Sequence, residues 1–174
     1  MPACVRARDL IRQLYKSSMK PESISESVDL RKVAREAVLN ARPRWRDQLE
    51  AAGIAITVDV DIPSLSPVRA SQQGLHDVLL NLIFNAVDAM PEGGAIRLVA
   101  EASGEEVTLK VSDTGQGMAE SVKNRIFEPF FTTKMEIGTG LGLYTAYHTI
   151  QSFGGTIEVE SEPRPDDRVE SGER

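Results

Sequence analysis

SQQGLHDVLLNLIFNAVDAM, residues 71–90, is the stretch on which the fold turns. Leu75, Val78, Leu79, Leu82, Ile83, Ala86, Val87 and Met90 recur at helical spacing, so at about 100° per residue they make one apolar stripe facing a core. Asp77, Asn81, Asn85 and Asp88 fall on the other side. Asparagine is a poor residue for a helix interior because its amide competes with the backbone for hydrogen bonds. Two of them four apart in an apolar helix need a reason. A solvated face would supply one. The alternative is a cleft in which both amide oxygens face a hard cation and phosphate oxygens.

Upstream of this helix, Asp29 caps a second one with inward positions Leu30, Val33, Ala34, Ala37, Val38 and Ala41, interrupted at Pro43 and closed by Gly53. Ile54, Ile56, Val58, Val60 and Ile62 alternate as a half-buried strand does. Pro63 and Pro67 mark a loop before Ser71. Downstream, Pro91-Glu92-Gly93-Gly94 turns into a strand through Ile96, Leu98 and Val99. Gly104-Glu105 reverses it into Val107, Leu109 and Val111, a hairpin that delivers Asp113 at its end. Residues 118–137 have no sustained periodicity and read as a mobile segment. Gly138 to Gly142 leads into a helix ending near Phe153, and Gly154-Gly155 turns it into a strand at Thr156 to Glu160. Residues 5–18 read as a short amphipathic helix, 21–28 as a polar linker, and 162–174 as a charged tail expected to be disordered.

The 174 residues, 41% of them hydrophobic, suffice for one ordinary core. A net charge of −6 argues against nucleic-acid binding, which needs a concentrated basic face. An anionic ligand must then be held by local chemistry. One cysteine, Cys4, leaves no intramolecular disulfide and fits a reducing, cytoplasmic setting. No segment is long or apolar enough to span a bilayer, so no membrane contact is expected of this stretch, although a longer parent with an anchor is compatible with it.

Two glycine clusters supply that local chemistry. In Asp113-Thr114-Gly115-Gln116-Gly117 a carboxylate stands at a strand tip, where it can accept a hydrogen bond from an exocyclic amine beside backbone that passes close to a flat ring. Gly138 to Gly142 precedes a helix start, where free amides and the positive dipole end bind phosphate. In order along the chain come Asn81 with Asn85, the Asp113 loop, Arg125-Ile126-Phe127-Glu128-Pro129-Phe130-Phe131, and the second glycine cluster. In these motifs the sequence resembles the histidine kinase catalytic domain of the GHKL ATPase superfamily, over about residues 29–161. Asn81 to Ala86 resembles the N box, Asp113 to Gly117 and Gly138 to Gly142 the two glycine boxes, and Phe127 to Phe131 the F box.

That resemblance implies an α/β (α+β) two-layer sandwich of Bergerat type, a mixed sheet covered on one face by helices, with ATP and Mg²⁺ as cofactors. It implies that Asn85 ligates Mg²⁺, that Asn81 contacts phosphate, and that Asp113 receives the adenine amino group beside Gly115 and Gly117. Gly138, Gly140 and Gly142 would admit the triphosphate, with Thr139 and Leu141 among them. Residues 118–137 would form an ATP lid, along which Met118, Phe127, Phe130, Thr133 and Lys134 border the nucleotide and Lys134 reaches the γ-phosphate. Asp88 is placed at the same site. Asn81 stands where related hydrolysing ATPases carry a water-activating glutamate, which disfavours simple ATP hydrolysis.

The expected partners are a histidine-bearing dimerisation domain and a response regulator. Only His76 and His148 exist in the chain, and both read as helix-surface residues. The acceptor is therefore expected on a separate helix, of which residues 1–20 would be the remnant, and the isolated chain is expected to be monomeric and unable to phosphorylate itself. A nucleotide-dependent interaction module without kinase chemistry is the alternative. The closing apolar strand that similar domains carry after Glu160 is expected to be missing.

Overall fold

The computed structural model describes residues 26–47, 49, 53–133 and 139–163. Its first strand, β1 (Glu26–Val28), pairs antiparallel with β3 (Val68–Ala70), Val28 opposite Val68. Sequence reading placed the first of these in a linker and the second in a proline loop. Three residues give only one alternation, too little to register as a strand period, yet Val28 and Ala70 are both buried. Asp29 then caps α1 (Leu30–Arg42), its Oδ1 accepting the Lys32 amide at 3.1 Å. The expected inward stripe is buried, with Val38 half-buried at its margin. At Pro43 the regular helix ends and the backbone widens into one π-helical turn, Pro43–Asp47.

The sheet follows. β2 (Ile56–Asp61) runs parallel to β4 (Gly94–Ser103), which pairs antiparallel with β5 (Glu106–Asp113), giving a mixed sheet in the order β2-β4-β5. A parallel pair needs a crossover, and here the crossover carries α2 (Gln72–Asp88). Ser71 caps α2 through the Gly74 amide at 3.1 Å. Ile96, Leu98 and Ala100 alternate with exposed Arg97 and Glu101, so the inner face of β4 meets the stripes of α1 and α2 in one core. Helices on one face and the mixed sheet behind them make the expected two-layer sandwich.

The last helices are α3 (Glu120–Lys123) and α4 (Gly142–Ser152). The strand expected at Thr156 to Glu160 is not formed, because the segment makes no ladder with β5. It keeps the burial alternation, with Ile157 and Val159 half-buried between exposed neighbours, and Glu160 lies 3.8 Å from Lys110 of β5. Residues 1–25 and 164–174, to which the dimerisation remnant and most of the linker and tail were assigned, lie outside the described residues.

Ile83 is wholly buried where α2 meets the core. Ile83→Ala is expected to cost about 2–5 kcal/mol, read as a lower denaturation midpoint at unchanged slope. Glu92→Ala, on an exposed turn, should stay within about 0.5 kcal/mol.

Candidate functional site

A gap along one face of α2 defines the site. α4 lies against α2 in the opposite direction: Phe153 and Thr149 pack over Gly74, and Gly142, the first residue of α4, reaches Asn81. The Asn81 Oδ1 stands 3.0 Å from where a side chain on Gly142 would begin. There α4 starts, while α2 continues. Eight residues on, the carbonyl of Ala89 accepts the Gln116 amide at 3.0 Å, so the Asp113 loop closes the far end. At 1.5 Å per residue the open stretch from Asn81 to Ala89 is about 12 Å long, with Asn85 midway. Asn81 and Asn85 are both half-buried.

At the Ala89 end the loop is clamped at its root. Ala95 donates its amide to Thr114 Oγ1 at 3.0 Å, and the Thr114 amide returns a bond to the Ala95 carbonyl at 3.1 Å. Asp113 Oδ1 accepts the Gly115 amide at 2.8 Å, while Oδ2 makes no hydrogen bond among the described residues. One carboxylate oxygen thus fixes the loop and the other is available to a donor. Gly117 has φ +73°, and a side chain there would collide with the Glu162 carbonyl. The neighbouring Met118 amide bonds Ser161 Oγ at 2.9 Å, so the segment after α4 braces this end.

At the Asn81 end the free amides of the α4 N-terminus point along the gap, a setting that favours anions without basic side chains. The phenylalanine segment is tied to it. Phe130 has φ +65°, a left-handed geometry that costs a non-glycine residue about 1–3 kcal/mol, and its amide bonds the Gly140 carbonyl at 2.9 Å. Gly140 has φ +65° as well, and a side chain there would lie 2.5 Å from the Phe130 carbonyl carbon. Phe127 packs on Tyr147 of α4 with ring centroids 5.1 Å apart, and Ile126 is buried. Arg125 bonds Glu128 at 3.1 Å and lies over the Phe131 ring at 4.3 Å.

The structure therefore brings Asn81, Asn85, Asp113, Gly115, Gly117, Met118, Gly140, Leu141 and Gly142 to one gap, with Phe127 and Phe130 supporting its rim. Thr133 is exposed and Thr139 lies next to Gly140. Lys134 and Gly138 lie outside the described residues. Asp88 is held by Arg44, whose Nη2 is 2.7 Å from Oδ1. His76 is no plain surface residue. It sits between α2 and α1 with Nε2 2.9 Å from Asn40 Nδ2, while His148 packs edge-on to Tyr144 and Tyr147. Sequence reading missed Arg44, the Ala89 carbonyl and the Thr114 clamp. Of these, only Thr114 sat inside a motif that could have drawn notice.

Among the described residues no group of three or more His, Cys, Asp or Glu could hold a metal by itself. A divalent cation at Asn85 would have to draw most of its oxygens from a bound polyphosphate and water, as Mg²⁺ does in phosphoryl-transfer sites.

Residues 70–172 match the family described as histidine kinase-, DNA gyrase B-, and HSP90-like ATPase. Sporulation kinase A of Bacillus subtilis (strain 168) is 40% identical over 116 residues, 67% of this chain and 19% of that protein. The nucleotide-free catalytic domain of the histidine kinase ThkA superposes with TM-score 0.59 at 31% identity, covering 71% of this chain and 78% of that one. Full-length ShkA in complex with AMPPNP gives 0.64 at 32% identity, over 80% of this chain and 29% of that one. The chain spans about a fifth of the length of the curated relatives it matches.

Gly140→Ala is expected to push Phe130 off the α4 loop at a cost of about 1–3 kcal/mol. Trypsin should then cut after Arg125 faster than in the unsubstituted protein.

Proposed function

Since the chain belongs to the histidine kinase-, DNA gyrase B-, and HSP90-like ATPase family, we propose that it is the ATP-binding catalytic domain of a sensor histidine kinase. The observation that carries this reading is the gap on α2, about 12 Å long, bounded by a helix N-terminus at Asn81 and by a carboxylate loop at Ala89. A nucleoside triphosphate has that polarity. Its anionic end suits the α4 N-terminus and its base suits the Asp113 loop.

When bound, ATP supplies the γ-phosphoryl group. The residues position and neutralise, as is usual where phosphoryl transfer is governed by geometry and charge. Asp113 Oδ2 accepts the adenine amine, while Gly115 and Gly117, whose missing side chains admit Ala89 and the Glu162 carbonyl, shape the loop beside it. Asn85 offers its amide oxygen to Mg²⁺, and Asn81, against Gly142, orients toward the phosphates. The Phe127 to Phe131 segment holds the lid at its root. His76 is hydrogen-bonded to Asn40 of α1 and His148 packs on Tyr144 of its own helix, and this reading assigns the acceptor role to neither. Support for histidine as the acceptor comes from relatives named as histidine kinases; the separate dimerisation domain and a response regulator beyond it are the partners this reading adds.

Asn85→Ala should remove Mg²⁺-dependent ATP binding in calorimetry and leave the circular dichroism spectrum unchanged. Undiminished affinity would refute the role. Asp113→Asn should erode preference for ATP over GTP by roughly ten-fold, the scale of one hydrogen bond to a charged group. Mixing the protein with a separately produced dimerisation domain and γ-labelled ATP should place acid-labile label on that domain. ATP binding without label transfer would leave a nucleotide-dependent interaction module instead.

A further inference from the structure

β2 ends the sheet among the described residues: β4 pairs with it on one side and no strand pairs with it on the other. In a parallel ladder alternate residues turn both backbone groups to the same neighbour. The Gly94 amide bonds the Ala55 carbonyl at 3.0 Å, and Ile56 stands opposite Gly94. Ala55, Thr57, Asp59 and Asp61 therefore face β4, and the N–H and C=O groups of Val58 and Val60 face the open edge. Beside that edge lies a groove of about 300 Å³, lined by Val58 and Val60, by Val38 and Leu39 of α1 and by Trp45 of the π-helical turn. Arg35, Arg42 and Arg46 line it too. Leu39 is 62% exposed, the one large apolar side chain so open among the described residues.

Charge decides what fits this edge. Arg35, Leu39 and Arg42 fall at i, i+4 and i+7 of α1, so an apolar side chain stands between two cations about 10.5 Å apart along the helix. Neither Arg35 nor Arg42 makes an ion pair among the described residues. On the other face of β2, Asp59 and Asp61 are already bridged by Arg97 at 3.5 and 3.0 Å. A second copy is a poor occupant, because pairing β2 with β2 sets acid near acid and arginine near arginine, and like charges across a strand pair repel. Residues 1–25 carry five Lys or Arg against two Asp or Glu, the wrong sign for the groove. Residues 164–174 offer a single aliphatic side chain, Val169.

We propose that this edge docks an acidic segment of a partner protein, taken up in extended form as an added strand beside β2. The main chain of the segment bonds Val58 and Val60, and its inward side chains, at alternate positions, read acidic, apolar, acidic. The apolar one fills the groove beside Leu39 and Trp45, and the two carboxylates meet Arg35 and Arg42. Residues four apart on a strand span about 13 Å, a distance that two long arginine side chains about 10.5 Å apart on the helix can cover. No residue of the Asn81 to Ala89 gap takes part, so docking here is independent of nucleotide.

Trp45 is the only tryptophan in the chain, so its fluorescence reads the groove directly. The probe is the synthetic peptide Ser-Glu-Thr-Leu-Thr-Glu-Ser, blocked at both ends and titrated into the full chain at low and high salt. A saturable change in Trp45 emission is expected, with affinity falling as salt rises. Arg42→Glu should weaken the peptide about ten-fold or more at an unchanged urea midpoint. Should that midpoint move, Arg35→Glu, two helical turns away, must show the same loss. A peptide with Lys in place of both Glu, and one N-methylated at Leu and both Thr, should each bind about ten-fold more weakly or worse, since the first reverses the charge and the second removes the strand donors. No emission change with the acidic peptide, undiminished affinity in a folded arginine variant, or equal binding of either altered peptide overturns the proposal. So does a dimer of the chain, seen by sedimentation, that Arg42→Glu dissociates, because the edge would then belong to a second copy.

Discussion

A helix packed by neighbours around most of its circumference has one face left for chemistry, and α2 is such a helix. Leu75, Leu79, Ile83 and Val87 meet the core behind it, α1 takes one flank through His76 and Asn40, and α4 covers the other from Phe153 up to Gly142. Because α4 begins beside Asn81 while α2 runs on to Asp88, α4 does not cover this side of α2 beyond Asn81. Polar residues are tolerated there only if something meets them. The same packing that stabilises the domain thus creates the gap and selects amides to line it.

Electrostatics explain how an acidic chain can hold an anion. The gap receives partial charge from the α4 amides, free at a helix start, and not from a basic surface. Asp113 spends one oxygen on the Gly115 amide, so the loop is shaped without a ligand. Phe130 adds a strained residue bonded to Gly140, and this couples the Phe127 to Phe131 segment to the loop before α4. Order at one end and strain at the other would suit the proposed site, rigid where a ring is to be recognised and movable where a product is to leave.

Much of this was legible in the sequence, for physical reasons. Long periodic elements declare themselves: the stripe of α2, the alternation of β2 and the hairpin of β4 and β5 all appear where the pattern put them, and Asp29 and Ser71 cap as their side chains suggest. Three-residue β1 and β3 carried no readable period. Thr156 to Glu160 had the alternation but lacks a ladder, since pairing belongs to a partner and not to the segment. Within the candidate site, the motifs named side chains, whereas contacts made by backbone or from a distant turn went unread. The Ala89 carbonyl has no sequence signature, and Arg44 sits in Pro43-Arg44-Trp45-Arg46, where nothing distinguishes one arginine from the other.

The central claim is that one gap on α2 joins both glycine loops around a single ligand. Backbone and asparagine side-chain NMR shifts followed during a Mg-ATP titration test it most directly. The account predicts that Asn81, Asn85, residues 113–118 and residues 139–143 shift together along one saturating curve. Shifts confined to one of these groups, or curves with different midpoints, would contradict it.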